Sequence, residues 1–235
     1  MCGIVGVLGG NRNSEIDLRR MTDSLIHRGP DDSGIWCDKE NQISLGHRRL
    51  SIVDLSSAGH QPIISGSGRF VLSFNGEIYN HLRLQELLSG DQAQNNVGVS
   101  RNWNGHSDTE TLLAGFEHWG VEATIEKVVG MFAIGLWDRQ LKTLTLIRDR
   151  IGEKPLYYAH EDGEFRFGSN LASVTRHDKD LRVNHTAIAE LIGMQYVHTE
   201  NCIYSRYKKL PPGCHLKFGL QDKVLAITNY WQPDY

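Results

Sequence analysis

Apolar positions along this chain fall in short runs whose period changes several times. Ile4 to Leu8 is a compact apolar stretch that reads as a strand. Ser14 to Ile26 then sets Ile16, Leu18, Met21, Leu25 and Ile26 close to helical spacing, with Ser14 as a cap. Two further apolar stretches lie around Ile43 to Val53 and Phe70 to Phe74; the second runs into Asn75-Gly76 before a helix-like segment from Tyr79 to Leu88. Gly90 to Gly105 is polar, with Asn95-Asn96, Gly98 and Asn102, and reads as a mobile surface loop.

Ser107 to Trp119 predicts a helix capped by Ser107, with Glu110 three residues on in the capping-box pattern. Met131 to Trp137, Thr143 to Ile147, Leu156 to Ala159 and Glu164 to Phe167 are short β-prone runs punctuated by Asp138-Arg139 and Asp162-Gly163, a block of antiparallel hairpins. Leu210-Pro211-Pro212-Gly213 breaks the chain again, and a trailing hairpin follows. Strands flanked by helices on both sides, without strict βαβ alternation, point to an α+β layered sandwich over a Rossmann-type sheet. There is no internal repeat.

Composition narrows the classes. The 235 residues, 40% apolar and 23% charged, suit an ordinary globular protein with a sizeable core. A net charge of −3 with scattered basic residues provides no stripe for phosphates, so nucleic acid is not an expected partner. No apolar run nears the roughly 20 residues of a membrane-spanning helix, and no signal-peptide pattern opens the chain, so the expected location is the cytoplasm. Cys2, Cys37, Cys202 and Cys214 form no metal-binding spacing and are expected to be reduced thiols.

The chemistry concentrates at the start. Cys2 is followed by Gly3, and an initiator methionine is normally trimmed beside so small a residue, leaving the Cys2 amine free. With a thiol pKa of about 8.5 and an α-amine of about 7.7 to 8.0, that amine can accept the thiol proton, and no histidine is required. Read alone, Cys2 could equally be an idle packed side chain. Acyl transfer also needs donors aimed at the developing oxyanion, and Asn75-Gly76 provides an amide and an approachable backbone N–H. On spacing alone a type I′ turn is the favoured reading of Asn-Gly, although Glu77-Ile78-Tyr79 looks more helical than strand-like. A zwitterionic amino-acid substrate would need a cation and an anion; Arg49 and Asp108 are available, but without context Arg49 reads as surface and Asp108 as a helix-dipole partner.

Taken together, the ordered strings change that balance. Met1-Cys2-Gly3-Ile4-Val5-Gly6, His27-Arg28-Gly29-Pro30-Asp31, Arg49-Leu50-Ser51-Ile52-Val53-Asp54, Asn75-Gly76-Glu77-Ile78-Tyr79-Asn80 and Ser107-Asp108-Thr109-Glu110 closely resemble the motifs of the glutaminase domains of asparagine synthetases, class II glutamine amidotransferases. The likeness continues through Gly130-Met131-Phe132-Ala133, the run Arg148 to Tyr158, and Leu210-Pro211-Pro212-Gly213, so it covers nearly the whole chain.

The resemblance implies a four-layer αββα N-terminal nucleophile hydrolase sandwich with two antiparallel sheets. It implies Cys2 as nucleophile with its own amine as base, and Asn75 with the Gly76 N–H as oxyanion hole. Arg49 would hold the glutamine carboxylate, Asp108 and Glu77 would lie near its ammonium, and Leu50, Ser51, Ile52 and Val53 would line the pocket. Arg28 would support the Cys2 loop. Arg148 and Asp149 would either do the same or form a salt-bridged structural cluster with Lys154. His47 and His60 are left out as bases. No metal or cofactor is expected for glutamine hydrolysis.

The expected organisation is an amidotransferase domain over residues 2–208 and a hairpin or linker over 209–235, leading toward an ATP-dependent synthetase domain or subunit. The Ser-Gly-Gly-x-Asp-Ser pyrophosphate loop of that domain is absent, Ser65-Gly66-Ser67-Gly68 being the nearest string, so ATP and magnesium belong to the missing half. The expected partners are L-glutamine, that synthetase and, as an option, a second copy of the chain. The acceptor would be aspartate or another carboxylate. The alternative in a different class is a catalytically idle module that binds glutamine or a partner; a glutaminase attached to a sugar isomerase or phosphoribosyl transferase is a third.

Overall fold

The computed structural model describes residues 2–10, 14–51, 59–94, 103, 107–161, 163–176, 178–198, 200–221 and 223–234, with the backbone alone at 14 and 91–94. The chain opens with β1 (Gly3–Gly9), α1 (Ser14–Asp23), β2 (Asp32–Asp38) and β3 (Ile43–Arg49), then β4 (Ile63–Ile64) and β5 (Phe70–Ile78). Three helices follow, α2 (His81–Gln94), α3 (Asp108–His118) and α4 (Val121–Lys127). Next come β6 (Gly130–Asp138), β7 (Thr143–Arg148), β8 (Tyr157–Glu161), β9 (Glu164–Gly168) and α5 (Leu171–Thr175). Helix α6 (His185–Met194) and strands β10 (Lys208–Lys209), β11 (Cys214–Gly219) and β12 (Leu225–Asn229) finish it.

Among the described residues, twelve strands form two six-stranded sheets, ordered β10-β8-β9-β1-β3-β2 and β12-β11-β7-β6-β5-β4. Every strand pairing in them is antiparallel. The hairpins expected after residue 130 exist, but they are shared out: β6 and β7 enter one sheet and β8 and β9 the other. Strand β11 pairs with β7 as well as β12, so the second sheet continues well past residue 208.

Alternation along each strand separates the layers. On β1, Ile4 and Leu8 face the other sheet and join Val71, Trp137, Leu146 and Leu216, while Val5 and Val7 pack with Leu18, Met21 and Leu25 of the α1 region. On β5, Val71 faces inward, and Phe70, Leu72 and Phe74 pack on Leu112, Leu113 and Phe116 of α3. Helix, sheet, sheet and helix therefore stack as four layers. Phe167 spans the middle: a Cβ at Gly6 would stand 2.2 Å from its ring and one at Gly135 2.6 Å. Truncating it to alanine would open that space at about 3–5 kcal/mol.

The local signals mostly survive folding. Ser107 caps α3 by accepting the Thr109 N–H, and Asp138 Oδ1 closes its turn on the N–H groups of Gln140 and Leu141 at 2.9 and 3.0 Å. Asn75-Gly76 is the correction. Neither the turn nor a helical start at Glu77 forms, because both residues lie inside nine-residue β5, opposite Ala133 and Phe132, and the helix begins only at His81. The first five residues of the expected loop, Gly90 to Gln94, instead continue α2. The rest of that loop apart from Trp103, the Ser14 cap, Asp162, and Ile52, Val53 and Asp54 lie outside the described residues or side chains.

Candidate active site

The space between the sheets opens at one end into a pocket of about 170 Å³. Residues on the inward faces of β3 and β5 reach it, together with the residue ahead of β1 and the first turn of α3. Pairing of Gly3 with Arg48 sets Cys2 beside the end of β3. Its sulfur is held by one residue, accepting the Leu50 N–H at 3.4 Å and donating to the Leu50 carbonyl at 3.8 Å. Arg28 Nε donates to the Cys2 carbonyl at 3.1 Å. Burial, the largest effect, lowers the Arg28 pKa, against an opposing pull from Cys2.

The turn that carries Arg28 is anchored on β3. The Asp31 N–H donates to the Arg49 carbonyl at 3.0 Å, and Asp31 Oδ2 accepts the Ser51 N–H at 2.7 Å. A Cβ at Gly29 would sit 2.4 Å from the Arg48 backbone, so the turn needs glycine there.

The edge of β5 sets the donors. Strand β4 pairs only with Leu72 and Val71, so among the described residues the edge of β5 away from β6 has no neighbouring strand from Phe74 onward. The Phe74 N–H goes instead to Gln61 Oε1 at 2.7 Å and the Ile78 N–H to Asp108 Oδ2 at 2.9 Å. In an antiparallel strand alternate N–H groups leave by the same edge, so the Gly76 N–H lies between these two and faces the same way. A Cβ at Gly76 would stand 2.2 Å from the Met131 carbonyl oxygen, which is why the strand carries glycine here. Asn75 is buried, lines the pocket, and its Nδ2 has no hydrogen-bond partner among the described residues. An unmet buried donor costs about 1–3 kcal/mol and calls for a ligand or function.

Opposite charges share the pocket. Arg49 is 8% exposed, its guanidinium so close to Gly59 that a Cβ there would lie 2.0 Å from Nη2. Asp108 reaches in from α3, its pKa raised mainly by burial against the pull of the Ile78 N–H bond. The structure thus gathers Cys2, Arg49, Leu50, Asn75, Gly76, Glu77 and Asp108 around one space. Ser51 is not among its lining residues, and Arg28 stands behind Cys2.

Sequence reasoning missed Gln61, Phe74 and Lys154 in the lining. Gln61 carried no signal, since its partner is a backbone N–H in a distant strand. Lys154 was legible only as a neighbour of Arg148. Arg148 and Asp149 both bind backbone groups: Arg148 donates to the carbonyls of Lys154, Gly152 and Leu210, and Asp149 accepts from the N–H groups of Phe132, Glu153 and Lys154. His47 Nε2 lies 3.0 Å from the Phe74 carbonyl, and burial pushes its pKa down to about 4; His60 pairs with Asp32 at 2.7 Å. Neither histidine lines the pocket.

A four-layer sandwich that presents its second residue at the open end between two antiparallel sheets has the architecture of the N-terminal nucleophile amidotransferases. Its backbone superposes on the glutamine phosphoribosylpyrophosphate amidotransferase of B. subtilis with a TM-score of 0.69, at 16% identity, over 99% of this chain and 50% of that one. Residues 1–231 match the glutamine amidotransferase domain family, and the chain belongs to it. It is 34% identical over 240 residues to asparagine synthetase (glutamine-hydrolyzing) 1 of Bacillus subtilis, covering 100% of this chain and 36% of the relative. Asparagine synthetase (glutamine-hydrolyzing) 3 of the same organism is 33% identical over 243 residues, covering 100% and 37%. The chain thus spans little more than a third of the length of these relatives.

Proposed function

We propose that this chain hydrolyses glutamine at Cys2 and passes the ammonia to an ATP-dependent synthetase domain or subunit, which amidates aspartate or another carboxylate. The observation that carries the hydrolytic part is the pairing of the Cys2 thiol with an unpartnered Asn75 amide at one pocket. Arg49 holds the glutamine α-carboxylate; Asp108, with Glu77 near it, takes the ammonium. The Cys2 amine removes the thiol proton, and sulfur attacks the side-chain amide carbon. The oxyanion is met by Asn75 Nδ2 and the Gly76 N–H. The C–N bond then breaks, the amine's proton leaves with ammonia, and water cleaves the thioester to glutamate while returning the thiol.

The glutaminase step needs no cofactor in this reading; ATP and magnesium serve the synthetase step. Among the described residues no helix is long and apolar enough to cross a membrane, and the four cysteines are free thiols, which suits the reducing cytoplasm.

The test is glutamate release from glutamine by the wild type and by Cys2→Ala, with intact mass confirming loss of Met1. Release abolished by the substitution is the expected result. No release from correctly processed wild type overturns hydrolysis by this chain and favours the glutamine- or partner-binding module.

A further inference from the structure

The second sheet ends irregularly beside the pocket. Because β4 is two residues long, the Phe74 backbone would, among the described residues, be an unpaired edge, and such edges fray or slip. Two side chains from different parts of the chain take the place of a strand neighbour at this one residue. Gln61, from the segment before β4, accepts the Phe74 N–H at 2.7 Å; His47, from β3 in the opposite sheet, meets the Phe74 carbonyl at 3.0 Å. They are 7% and 1% exposed, so both bonds are largely shielded from water. Burial keeps the His47 ring neutral at physiological pH, so one of its nitrogens carries a proton, and Nε2 is the one that faces a carbonyl. One residue earlier, Ser73 Oγ donates to the Gly46 carbonyl at 3.1 Å, a further bond between the sheets.

The next two residues are Asn75 and Gly76. Their donors lean on the position of the Phe74 backbone in two ways: the Asn75 side chain projects from the same backbone into the cleft, and the Gly76 N–H leaves by the edge that Gln61 occupies. Asp108 fixes the same edge on the far side through Ile78. The stretch between them carries both candidate oxyanion donors.

We propose that Gln61 and His47 are positioning residues for the oxyanion hole, clamping the backbone N–H and C=O of Phe74 so that Asn75 Nδ2 and the Gly76 N–H stay aimed at the carbon attacked by Cys2. The kinetic part rests on the glutamine-hydrolysis reading; the clamp itself does not. His47 stands outside the pocket lining and Gln61, at the pocket wall, is bonded to the strand, so both act through the Phe74 backbone. Donors displaced by a fraction of an ångström weaken oxyanion stabilisation while leaving the Arg49 and Asp108 contacts to the substrate intact, so kcat suffers and KM does not.

The experiment compares Gln61→Met, which removes the acceptor at similar length, with Gln61→Glu, which keeps an acceptor oxygen. It likewise compares His47→Leu with His47→Gln, which keeps a donor. In Gln61→Met and His47→Leu, kcat for glutamate release should fall about 10- to 100-fold with KM nearly unchanged. Gln61→Glu and His47→Gln should recover most of that loss. Alkylation of Cys2 by iodoacetamide, which builds no oxyanion, should keep its wild-type rate in all four.

Amide hydrogen exchange provides a readout independent of turnover. The Asn75 and Glu77 N–H groups, which point toward β6, should lose protection in Gln61→Met while the β6–β7 amides keep theirs. Wild-type kcat in Gln61→Met, or a loss that Gln61→Glu fails to restore, overturns the proposal. If the wild type itself releases no glutamate, the hydrolysis reading has failed and exchange decides the clamp: lost protection at 75 and 77 upholds it, and unchanged protection overturns it.

Discussion

Asp108 Oδ2 accepts the Ile78 N–H at 2.9 Å, tying the first turn of α3 to the end of β5. The same carboxylate lines the pocket, and burial raises its pKa above the ordinary value of 3.8. A folded pKa above the unfolded one means that the fold binds the proton more tightly, so ionised Asp108 costs stability at neutral pH. Asp108→Asn keeps an acceptor for Ile78 and removes the charge. Its stability to urea at pH 7 should equal or exceed that of the wild type. Its KM for glutamine should rise about 10- to 100-fold, the equivalent of a hydrogen bond to a charged group. Unchanged KM would remove Asp108 from the ammonium site.

His47 predicts an acid limb in stability. Its pKa is about 4 folded against 6.5 ordinarily, so the unfolded chain takes up the proton first as pH falls. The stability it contributes is full above pH 6.5 and is lost between there and pH 4, on the order of 3 kcal/mol. Carboxylates held low, such as Asp32, Asp38 and Asp178, act in the same direction only below their ordinary 3.8. Urea titrations between pH 7 and 5 should show a falling midpoint in the wild type and a flatter one in His47→Gln.

What the sequence made legible was local. Ser107 announces α3 because a cap and its N–H partner lie two residues apart, and the β6–β9 runs are strand-like because they are short, rich in β-branched, aromatic and other apolar residues, and bounded by turn signals. Sheet order was not legible: β1 pairs with β9, more than 150 residues away, and nothing local encodes that choice. Asn75-Gly76 misled for the same reason. The dipeptide favours a turn, but its glycine answers to the Met131 carbonyl across the sheet, a contact no window of neighbours contains. Cys2, Arg49, Asn75 and Asp108 were found through the combination of motifs, whereas Gln61, whose partner is a backbone group, had no signature to find.

Arg148 links three segments at once, with Nε on the Lys154 carbonyl at 2.9 Å, Nη1 on Leu210 at 2.7 Å and Nη2 on Gly152 at 2.7 Å. Its own carbonyl accepts the Tyr230 hydroxyl at 2.8 Å. A lysine ammonium cannot span the three carbonyls that the planar fork reaches. Arg148→Lys should therefore lose two buried, charge-assisted bonds and about 3 kcal/mol of stability or more, visible as a lower thermal midpoint. Cys2 alkylation below that midpoint should proceed at the wild-type rate, since none of these bonds involves the Leu50 contacts that hold the sulfur.

The proposed role of the Cys2 amine as base makes the sharpest demand. Leu50 brackets the sulfur and Arg28 holds the Cys2 carbonyl, and neither is a base that could accept the thiol proton near neutrality. With Met1 retained, the Cys2 nitrogen becomes an amide with no basic lone pair, while the thiol and its surroundings stay in place. Protein with Met1 retained or with a capped N-terminus should release glutamate at least about 100-fold more slowly than trimmed protein, the scale of a lost general base. The comparison uses two preparations distinguished by intact mass and assayed on the same day. Equal rates would mean that another group takes the proton, and the amine would lose its role as base.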